Sequence, residues 1–535
     1  MERLLQNRTS ILLGLGIYFA LHVCVRSFVS PSLGYDESEQ AFLSQRIAWG
    51  YNSQPPLYTW IQALLFQILG CNTWALAIFK NLLLLLTYVF LFVALERATG
   101  KVRLAAVGSL GMFTIPQIAW ESHRDLSHTV AATCMTCALF YCILRLADRK
   151  LTRPAVGYVL LGLVVAAGIL FKYNFAIVVA GFIVAAASIT EYRPLLFNRK
   201  MWLAVATAAI LLMPHCLWLM DHAQIASGKT LQTLTIDRSD YWIGNLWLGS
   251  RALILSTICC CGLTVLVFSV FYLRKAPDTY DQGKQILPVR LLIERFLLVI
   301  LAILLAMVLT GHAVEFKNRW LQPFVCLVPA YLVLRFGDHV LQRPKAQRVA
   351  MGMTLATMLF LLVAVIVRPV AANLRGKYCW LNMPYDKLAL AIEQQWQSTP
   401  QIIMTPHMRL GGNLCVAMPN TTIISNDSET LLPTNPKKAI GLVVLVTDQE
   451  SAQDRAQFAK RVAQEATVND MTEPWIPVEL ALRYGTEGAT TTYYYCRLLR
   501  LPQTHPNRIA NVPENTNNKS SLEPTKGIQP PSTRR

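Results

Sequence analysis

Long apolar runs, separated by short charged loops, occupy the first 370 residues of this 535-residue chain. A helix that crosses a bilayer needs about 20 consecutive apolar residues. By that length criterion we predict about eleven membrane spans, give or take two. The candidate spans lie near residues 10–29, 75–95, 104–120, 129–146, 155–171, 174–190, 201–220, 251–273, 291–311, 320–336 and 349–367.

Two apolar segments need a separate interpretation. Residues 55–70 are too short to cross a bilayer comfortably, and their Pro, Tyr, Trp and Gln residues favour a helix in the membrane interface. The first run, Ile11 to Val29, could be mistaken for a signal peptide, but no small-residue cleavage site follows it before Tyr35. We therefore expect this run to remain as the first span.

The charges of the loops predict which side of the membrane each one faces. Lys and Arg are concentrated in the cytoplasmic loops of membrane proteins. Because basic and acidic loops alternate here, the acidic loops and the segment after the last span are expected outside the cytoplasm. The basic set holds Arg97, Lys101, Arg103, Arg145, Arg149, Lys150, Arg153, Arg193, Arg199, Lys200, Arg274, Lys275, Lys284, Arg290, Arg343, Lys345 and Arg348; the acidic set holds Asp36, Glu37, Glu39, Glu121, Asp125, Asp221, Asp237, Asp240 and Glu315.

The chain after Arg375 has the pattern of a soluble protein. Tyr385–Trp396 and Ala452–Ala466 have helical periodicity, whereas Ala439–Thr447 and Thr490–Leu499 read as strands. The predicted fold class is therefore an all-α polytopic membrane domain over residues 1–370, followed by a small soluble α/β domain over 376–502. Residues 503–535 are rich in Pro, Asn, Ser and Thr and are expected to be disordered.

Composition agrees with a membrane protein. Hydrophobic residues make up 54% of the chain and charged residues 15%, whereas soluble domains carry about 25% charged residues. The net charge of +18 is what basic cytoplasmic loops produce, and no nucleic-acid motif accompanies it, so we expect membrane lipids and no nucleic acid as partners. Most of the 13 cysteines lie inside apolar runs, where cysteine behaves as a small hydrophobic residue.

Three carboxylates directly follow the first span, at Asp36, Glu37 and Glu39. Charges are costly to desolvate at a membrane surface, so their concentration favours a chemical role. A solvated loop that holds its end of the helix outside is the alternative.

A second outer loop, Trp120–His128, carries five ionisable side chains. Asp125 is a candidate to position or deprotonate a substrate, and Arg124 to hold a phosphate. His123 and His128 beside these carboxylates leave a metal site as an alternative, although the spacing matches no standard site.

A third outer segment contains Glu315, Lys317 and Arg319. Cations on the outer side run against the usual loop bias, and an anionic ligand there would explain them. It would also explain Lys80 and Lys172, each near the outer end of a span. Snorkelling towards the lipid head groups is the alternative.

Carboxylates and cations on one face suit a reaction that releases a sugar from a lipid phosphate. A carboxylate can act as general base on the acceptor, and cations stabilise the phosphate as its negative charge grows. Further candidates for substrate contacts are Tyr35, Pro56, Tyr58, His123 and Glu315.

Three features together resemble the GT-C glycosyltransferases: Asp36-Glu37 after the first span, Pro-Pro-Leu-Tyr-Thr-Trp at Pro55–Trp60, and Asp125 in the second outer loop. The similarity covers roughly residues 10–370 and is to the branch that contains protein O-mannosyltransferases and the lipid A aminoarabinose transferase. The resemblance implies a polyprenyl-phosphate sugar donor and inverting transfer. It also implies a catalytic aspartate in the first outer loop, a role that falls on Asp36, with Asp125 as the acidic residue of the second loop. We add the neighbouring Glu37 to these two as a catalytic candidate.

One motif departs from that branch. The aminoarabinose transferases carry Glu-Lys just before their proline, which contributes to a metal site and to phosphate binding, whereas this chain has Ser53-Gln54. No cofactor is therefore assigned, and a divalent metal stays open. The phosphate contact is expected from other cations, namely Lys80, Arg124, Lys172, Lys317 and Arg319.

We predict a glycosyltransferase of the bacterial inner membrane with a periplasmic C-terminal domain, acting on a lipid, glycan or protein acceptor. A membrane transporter or lipid flippase is the alternative from another class, and a catalytically silent scaffold for the tail domain is a third. Charges clustered at one face and the absence of an internal repeat favour the enzyme.

Overall fold

A computed structural model describes residues 7–148, 151–224, 235, 241–272, 286–311, 313–425, 442–466 and 474–498. The predicted disordered tail, residues 503–535, lies outside this described part. The structure consists of a bundle of apolar helices and a smaller α/β domain that packs against one end of it. The predicted fold class is confirmed.

Nine helices in the described part of the chain are long and apolar enough to cross a membrane. Each corresponds to a predicted span, so the chain is a multi-pass membrane protein. Their bounds are Arg8–Val29, Thr73–Thr99, His128–Ala147, Pro154–Phe171, Met201–Asp221, Trp242–Tyr272, Ile286–Leu309, the consecutive helices Asn318–Val325 and Val328–Gln342, and Pro344–Val370.

Two other predicted spans depart from a straight transmembrane helix. The predicted span 104–120 is bent by 77° between the segments Val102–Thr114 and Gln117–Arg124. Ile115, at the break, has extended backbone angles (φ −93°, ψ 108°) because a residue before proline avoids the helical region. The predicted span 174–190 forms only the 13-residue helix Phe175–Ala187.

Three shorter helices complete this part. Residues Leu57–Leu69 form the short apolar helix that was predicted to lie in the interface. A single turn covers Arg193–Leu196. A nine-residue helix, Tyr35–Leu43, follows the first span and carries Asp36; we call it the Asp36 helix.

The C-terminal domain contains five strands: β1 (Ile402–Thr405), β2 (Thr422–Ser425), β3 (Val443–Thr447), β4 (Ile476–Ala481) and β5 (Thr490–Leu498). They form one sheet in the order β2-β1-β3-β5-β4. Strands β2, β1 and β3 are parallel, whereas β3–β5 and β5–β4 are antiparallel. The helices of this domain are Tyr385–Trp396, Met408–Ala417 and Ala452–Ala466. Both predicted helices are present with their predicted bounds. Strands β3 and β5 lie within the predicted strands Ala439–Thr447 and Thr490–Leu499, of which residues 439–441 and 499 lie outside the described part. Strands β1, β2 and β4 and the helix Met408–Ala417 had not been predicted.

The C-terminal domain packs directly against the Asp36 helix and the residues just before it. The Asn413 side chain accepts a hydrogen bond from the Leu33 backbone amide at 2.7 Å. A Cβ atom on Gly412 would lie 1.8 Å from the carbonyl oxygen of Ser38, so only glycine allows the two helices to approach this closely. Phe42 from the Asp36 helix joins a buried apolar cluster with Leu410 of the soluble domain. The soluble domain therefore covers one side of the helix that carries Asp36.

Candidate active site

Asp36 lies at the start of the Asp36 helix and faces the second outer loop. Its Oδ2 atom accepts hydrogen bonds from the Ser127 backbone N–H at 3.1 Å and from the Ser127 hydroxyl at 3.3 Å. Its own backbone N–H donates to Oδ1 of Asp125 at 3.1 Å. The structure thus brings together the two aspartates that the sequence placed in separate loops.

The environment of Asp36 makes its carboxylate more basic than an ordinary aspartate. Burial, followed by the nearby charge of Asp125, raises the pKa of Asp36 to about 6. Arg319, the Ser127 amide and Lys80 act in the opposite direction and limit that rise. Among the described residues, no donor lies within hydrogen-bond distance of Oδ1 of Asp36. That oxygen can therefore receive a proton from a substrate.

Glu37, predicted as a catalytic residue, is held in a buried ion pair. Arg26 in the first span donates from its Nε atom to both Glu37 oxygens, at 3.1 and 3.2 Å. The ammonium of Lys80 lies 3.3 Å from Oε1 of Glu37. Burial alone would raise the pKa of Glu37, but Arg26 and Lys80 hold it well below its usual range. This geometry favours a positioning role for Glu37 and for Lys80, the latter predicted as a phosphate ligand.

The predicted phosphate ligands Lys172 and Arg319 lie near Asp36. The ammonium of buried Lys172 donates to the Thr129 hydroxyl. Burial and the adjacent Arg319 lower the pKa of Lys172 to about 7. Arg319 is exposed, yet it lies close enough to shift the pKa values of both Asp36 and Lys172. These two cations are therefore placed to meet an anion that reaches Asp36.

Two further predicted cations lie at the surface. Arg124 is exposed and pairs with Glu121 at 2.7 Å. The Lys317 ammonium lies 6.0 Å from the centre of the Trp320 ring, a cation–π distance, as expected for a side chain at a membrane interface. Glu315 is half-buried.

The remaining predicted substrate residues occupy different environments. Tyr35 is 46% exposed. Tyr58 is buried, with its ring 5.2 Å from that of His128, and Pro56 precedes its helix. His123 stacks on His22 at a centroid distance of 4.0 Å. Of this set, Tyr35 has the most accessible side chain.

Sequence reasoning gave no role to several residues that build the site. Arg26 lay inside an apolar run, where an ionisable residue is a signal of function and of a charged partner. Ser127, Thr129 and Gln40 carry no charge, so nothing in the sequence singled them out. His128 was named only as a metal-ligand alternative.

The described residues do not fit a metal site. They contain no group of three or more His, Cys, Asp or Glu side chains placed to hold a metal ion. The two histidines of the second outer loop contact different partners, since His123 packs on His22 whereas His128 bonds to Gln40 and Phe171.

Comparisons with known proteins agree with this architecture. A family described as dolichyl-phosphate-mannose-protein mannosyltransferase matches residues 53–218. The lipopolysaccharide core galacturonosyltransferase RgtB of Rhizobium johnstonii is 34% identical over 414 residues, covering 77% of this chain and 82% of the relative. RgtA, which has the same description in that organism, is 29% identical over 413 residues, or 77% of this chain and 81% of the relative.

This chain belongs to the GT-C family of membrane glycosyltransferases. The crystal structure of ArnT from Cupriavidus metallidurans, bound to undecaprenyl phosphate, superimposes with a TM-score of 0.57 at 13% identity, covering 91% of this chain and 97% of ArnT. At that identity the match shows the shared fold. The predicted family and enzyme class are confirmed, and these matches give no support to the transporter alternative.

Proposed function

We propose that this GT-C glycosyltransferase moves a galacturonosyl group from a polyprenyl phosphate to a lipopolysaccharide acceptor at the periplasmic face of the inner membrane. The names of the relatives RgtB and RgtA support the sugar and the acceptor, and the lipid bound to ArnT supports the carrier. The bias of Lys and Arg towards the opposite loops supports the orientation. The observation that carries the proposal is a half-buried Asp36 carboxylate whose Oδ1 accepts no hydrogen bond from the described residues and which lies near Lys172 and Arg319.

The proposed reaction is a single displacement. The acceptor hydroxyl loses its proton to Oδ1 of Asp36 while its oxygen forms a bond to the anomeric carbon of the sugar. The bond between that carbon and the phosphate oxygen breaks, and the polyprenyl phosphate leaves with the electron pair. Because attack and departure occur on opposite faces of the carbon, the anomeric configuration is inverted.

Each proposed role matches the surroundings of the side chain. A pKa of about 6 keeps Asp36 deprotonated at neutral pH while making it a better base than an ordinary aspartate. Lys172 and Arg319 would stabilise the leaving phosphate, whose charge increases in the transition state. Asp125 accepts a hydrogen bond from the Asp36 backbone N–H and so orients the start of the Asp36 helix. Arg124 and Lys317, at the surface, are candidates for the carboxylate of the sugar.

Donor identity is the first test of this proposal. Purified enzyme in liposomes would receive radiolabelled polyprenyl phosphates that carry galacturonate, galactose, mannose or aminoarabinose, together with lipopolysaccharide core as acceptor. We expect transfer from the galacturonate donor, with inverted configuration of the product. Transfer only from one of the other three donors would contradict the proposed donor, and retention of configuration would contradict the single displacement.

The pH profile is a second expected result. As pH falls through about 6, Asp36 gains a proton and stops acting as a base; as pH rises through about 7, Lys172 loses its proton and its positive charge. We therefore expect a narrow bell for kcat/KM, which reports the free enzyme. Arginine stays protonated throughout this range, so Lys172→Arg should remove the alkaline limb and leave the acidic one. An alkaline limb that persists in Lys172→Arg would contradict the assignment.

A further inference from the structure

Three consecutive residues at the start of the span His128–Ala147 contact three parts of the site. Ser127 donates to Asp36, as described above. Thr129 accepts a hydrogen bond from Lys172. His128, between them, contacts neither charged group directly, yet its ring bridges the two segments that carry them.

The hydrogen bonds of His128 define its protonation. Its Nδ1 atom lies 3.0 Å from the backbone carbonyl oxygen of Phe171, and a carbonyl can only accept, so Nδ1 carries the hydrogen. Its Nε2 atom lies 3.1 Å from the amide nitrogen of Gln40 and therefore accepts from that amide. The Thr59 hydroxyl donates to Oε1 of Gln40 at 2.9 Å, which sets the orientation of the amide. Donors and acceptors thus alternate without conflict from Thr59 to Phe171.

Thr59, Gln40, His128 and the Phe171 carbonyl form a hydrogen-bonded relay, and its three side chains are buried. The exposed fractions are 1% for Thr59, 0% for Gln40 and 5% for His128. Water cannot replace a lost partner at such positions, so each broken bond leaves a buried polar group unsatisfied. The relay therefore fixes the positions of the Asp36 helix and the Phe171 backbone relative to His128.

The two ends of the relay connect to the proposed chemistry. Gln40 lies four residues after Asp36, on the same side of the Asp36 helix. The Phe171 carbonyl belongs to the residue just before Lys172. One end therefore fixes the helix that carries the base Asp36. The other end fixes the turn that carries Lys172, a cation proposed to bind the phosphate.

We propose that His128 is a positioning residue that sets the separation between Asp36 and Lys172, acting through Gln40 and the Phe171 carbonyl. This inference rests on the proposed function, in which Asp36 activates the acceptor and Lys172 holds the donor phosphate. The acceptor hydroxyl and the anomeric carbon reach the geometry for attack only when Asp36 and Lys172 are held at a fixed separation. A displacement of about 1 Å in such a geometry can cost a factor of roughly 10² in rate.

The test replaces both partners of the hydrogen bond between His128 and Gln40. His128→Phe keeps a ring in the cavity but removes both hydrogen bonds, and Gln40→Leu removes the facing amide. We expect kcat to fall roughly 10- to 100-fold in His128→Phe and the KM for the donor to rise, because the Lys172 turn loses its anchor. The double variant should be no slower than the slower single variant, since both changes break one relay. Wild-type kcat and donor KM in His128→Phe, or fully multiplicative losses in the double variant, would overturn the inference.

A milder pair covers the case in which His128→Phe does not fold. Thr59→Val removes only the hydroxyl that orients Gln40, and we expect a fall in kcat of about threefold to tenfold, the size of one neutral hydrogen bond. Thr136→Val is the matched control, because Thr136 is also fully buried but its hydroxyl, among the described residues, bonds only to the Ala132 carbonyl in its own helix. Equal kcat in the two variants would overturn the inference.

Asp36→Asn, measured in parallel, separates the two levels of the proposal. An inactive Asp36→Asn beside a fully active His128→Phe would leave the proposed function intact and overturn the positioning role alone. A fully active Asp36→Asn would overturn the proposed function together with the inference that rests on it.

Discussion

Replacing Asp36 with Asn is expected to lower kcat by about 10²- to 10⁴-fold, the usual contribution of a general base. An asparagine oxygen can still accept the hydrogen bonds from Ser127, so the Asp36 helix should keep its position. The amide cannot take a proton from the acceptor hydroxyl. Initial rates of sugar transfer, normalised to the amount of folded protein in liposomes, measure the loss.

A matched control for this change lies on the same helix. Glu39→Gln is also an acid-to-amide substitution, and the glutamine oxygen can still accept the bond that Asn52 donates at 2.7 Å. We expect Glu39→Gln to retain the wild-type rate. If both variants lost activity equally, the loss would reflect the total charge of the helix and the role of Asp36 as base would be refuted.

The membrane bundle was predictable because a span depends on local composition. A run of about 20 apolar residues is visible without any knowledge of its neighbours. The break at Ile115 was less visible, since a single proline in an apolar run can kink a helix or leave it continuous.

The soluble domain shows where local patterns stop being informative. Tyr385–Trp396 and Ala452–Ala466 have the predicted bounds because an amphipathic helix extends over several turns. Strands β1 and β2 have only four residues each, and periodicity cannot separate such short apolar runs from buried helix. Strand β4 contains Pro477, and it lies at the edge of the sheet, where proline is tolerated.

The candidate site was predictable as a set of charges but not as a set of pairs. Asp36, Asp125, Lys172 and Arg319 were recognisable because outer loops and span ends rarely carry such residues without a reason. Their partners come from distant segments, and most of these partners are neutral. The Glu37 carboxylate illustrates the difference, since the sequence predicted a catalytic acid and the structure surrounds it with Arg26 and Lys80.

Glu37→Gln is expected to destabilise the fold more than any other single change in this ion-pair group. The side chains of Arg26, Glu37 and Lys80 are at most 10% exposed. Removing the only carboxylate of the three leaves two buried cations facing each other, and breaking such a pair costs about 3–5 kcal/mol. Thermal or denaturant unfolding in detergent, together with the yield of membrane-inserted protein, measures this loss.

The other members of the group provide the contrast that tests this explanation. Lys80→Met leaves the neutral Arg26–Glu37 pair intact, so its free energy of unfolding should remain closer to that of the wild type. The double variant Glu37→Gln/Lys80→Met removes the repulsion between cations and should recover part of the stability that Glu37→Gln loses. If Glu37→Gln instead unfolds like the wild type but fails to transfer sugar, Glu37 takes part in the chemistry. The ion pair would then hold a catalytic group in place, because the charge of Glu37 would matter to the substrate and not to the fold.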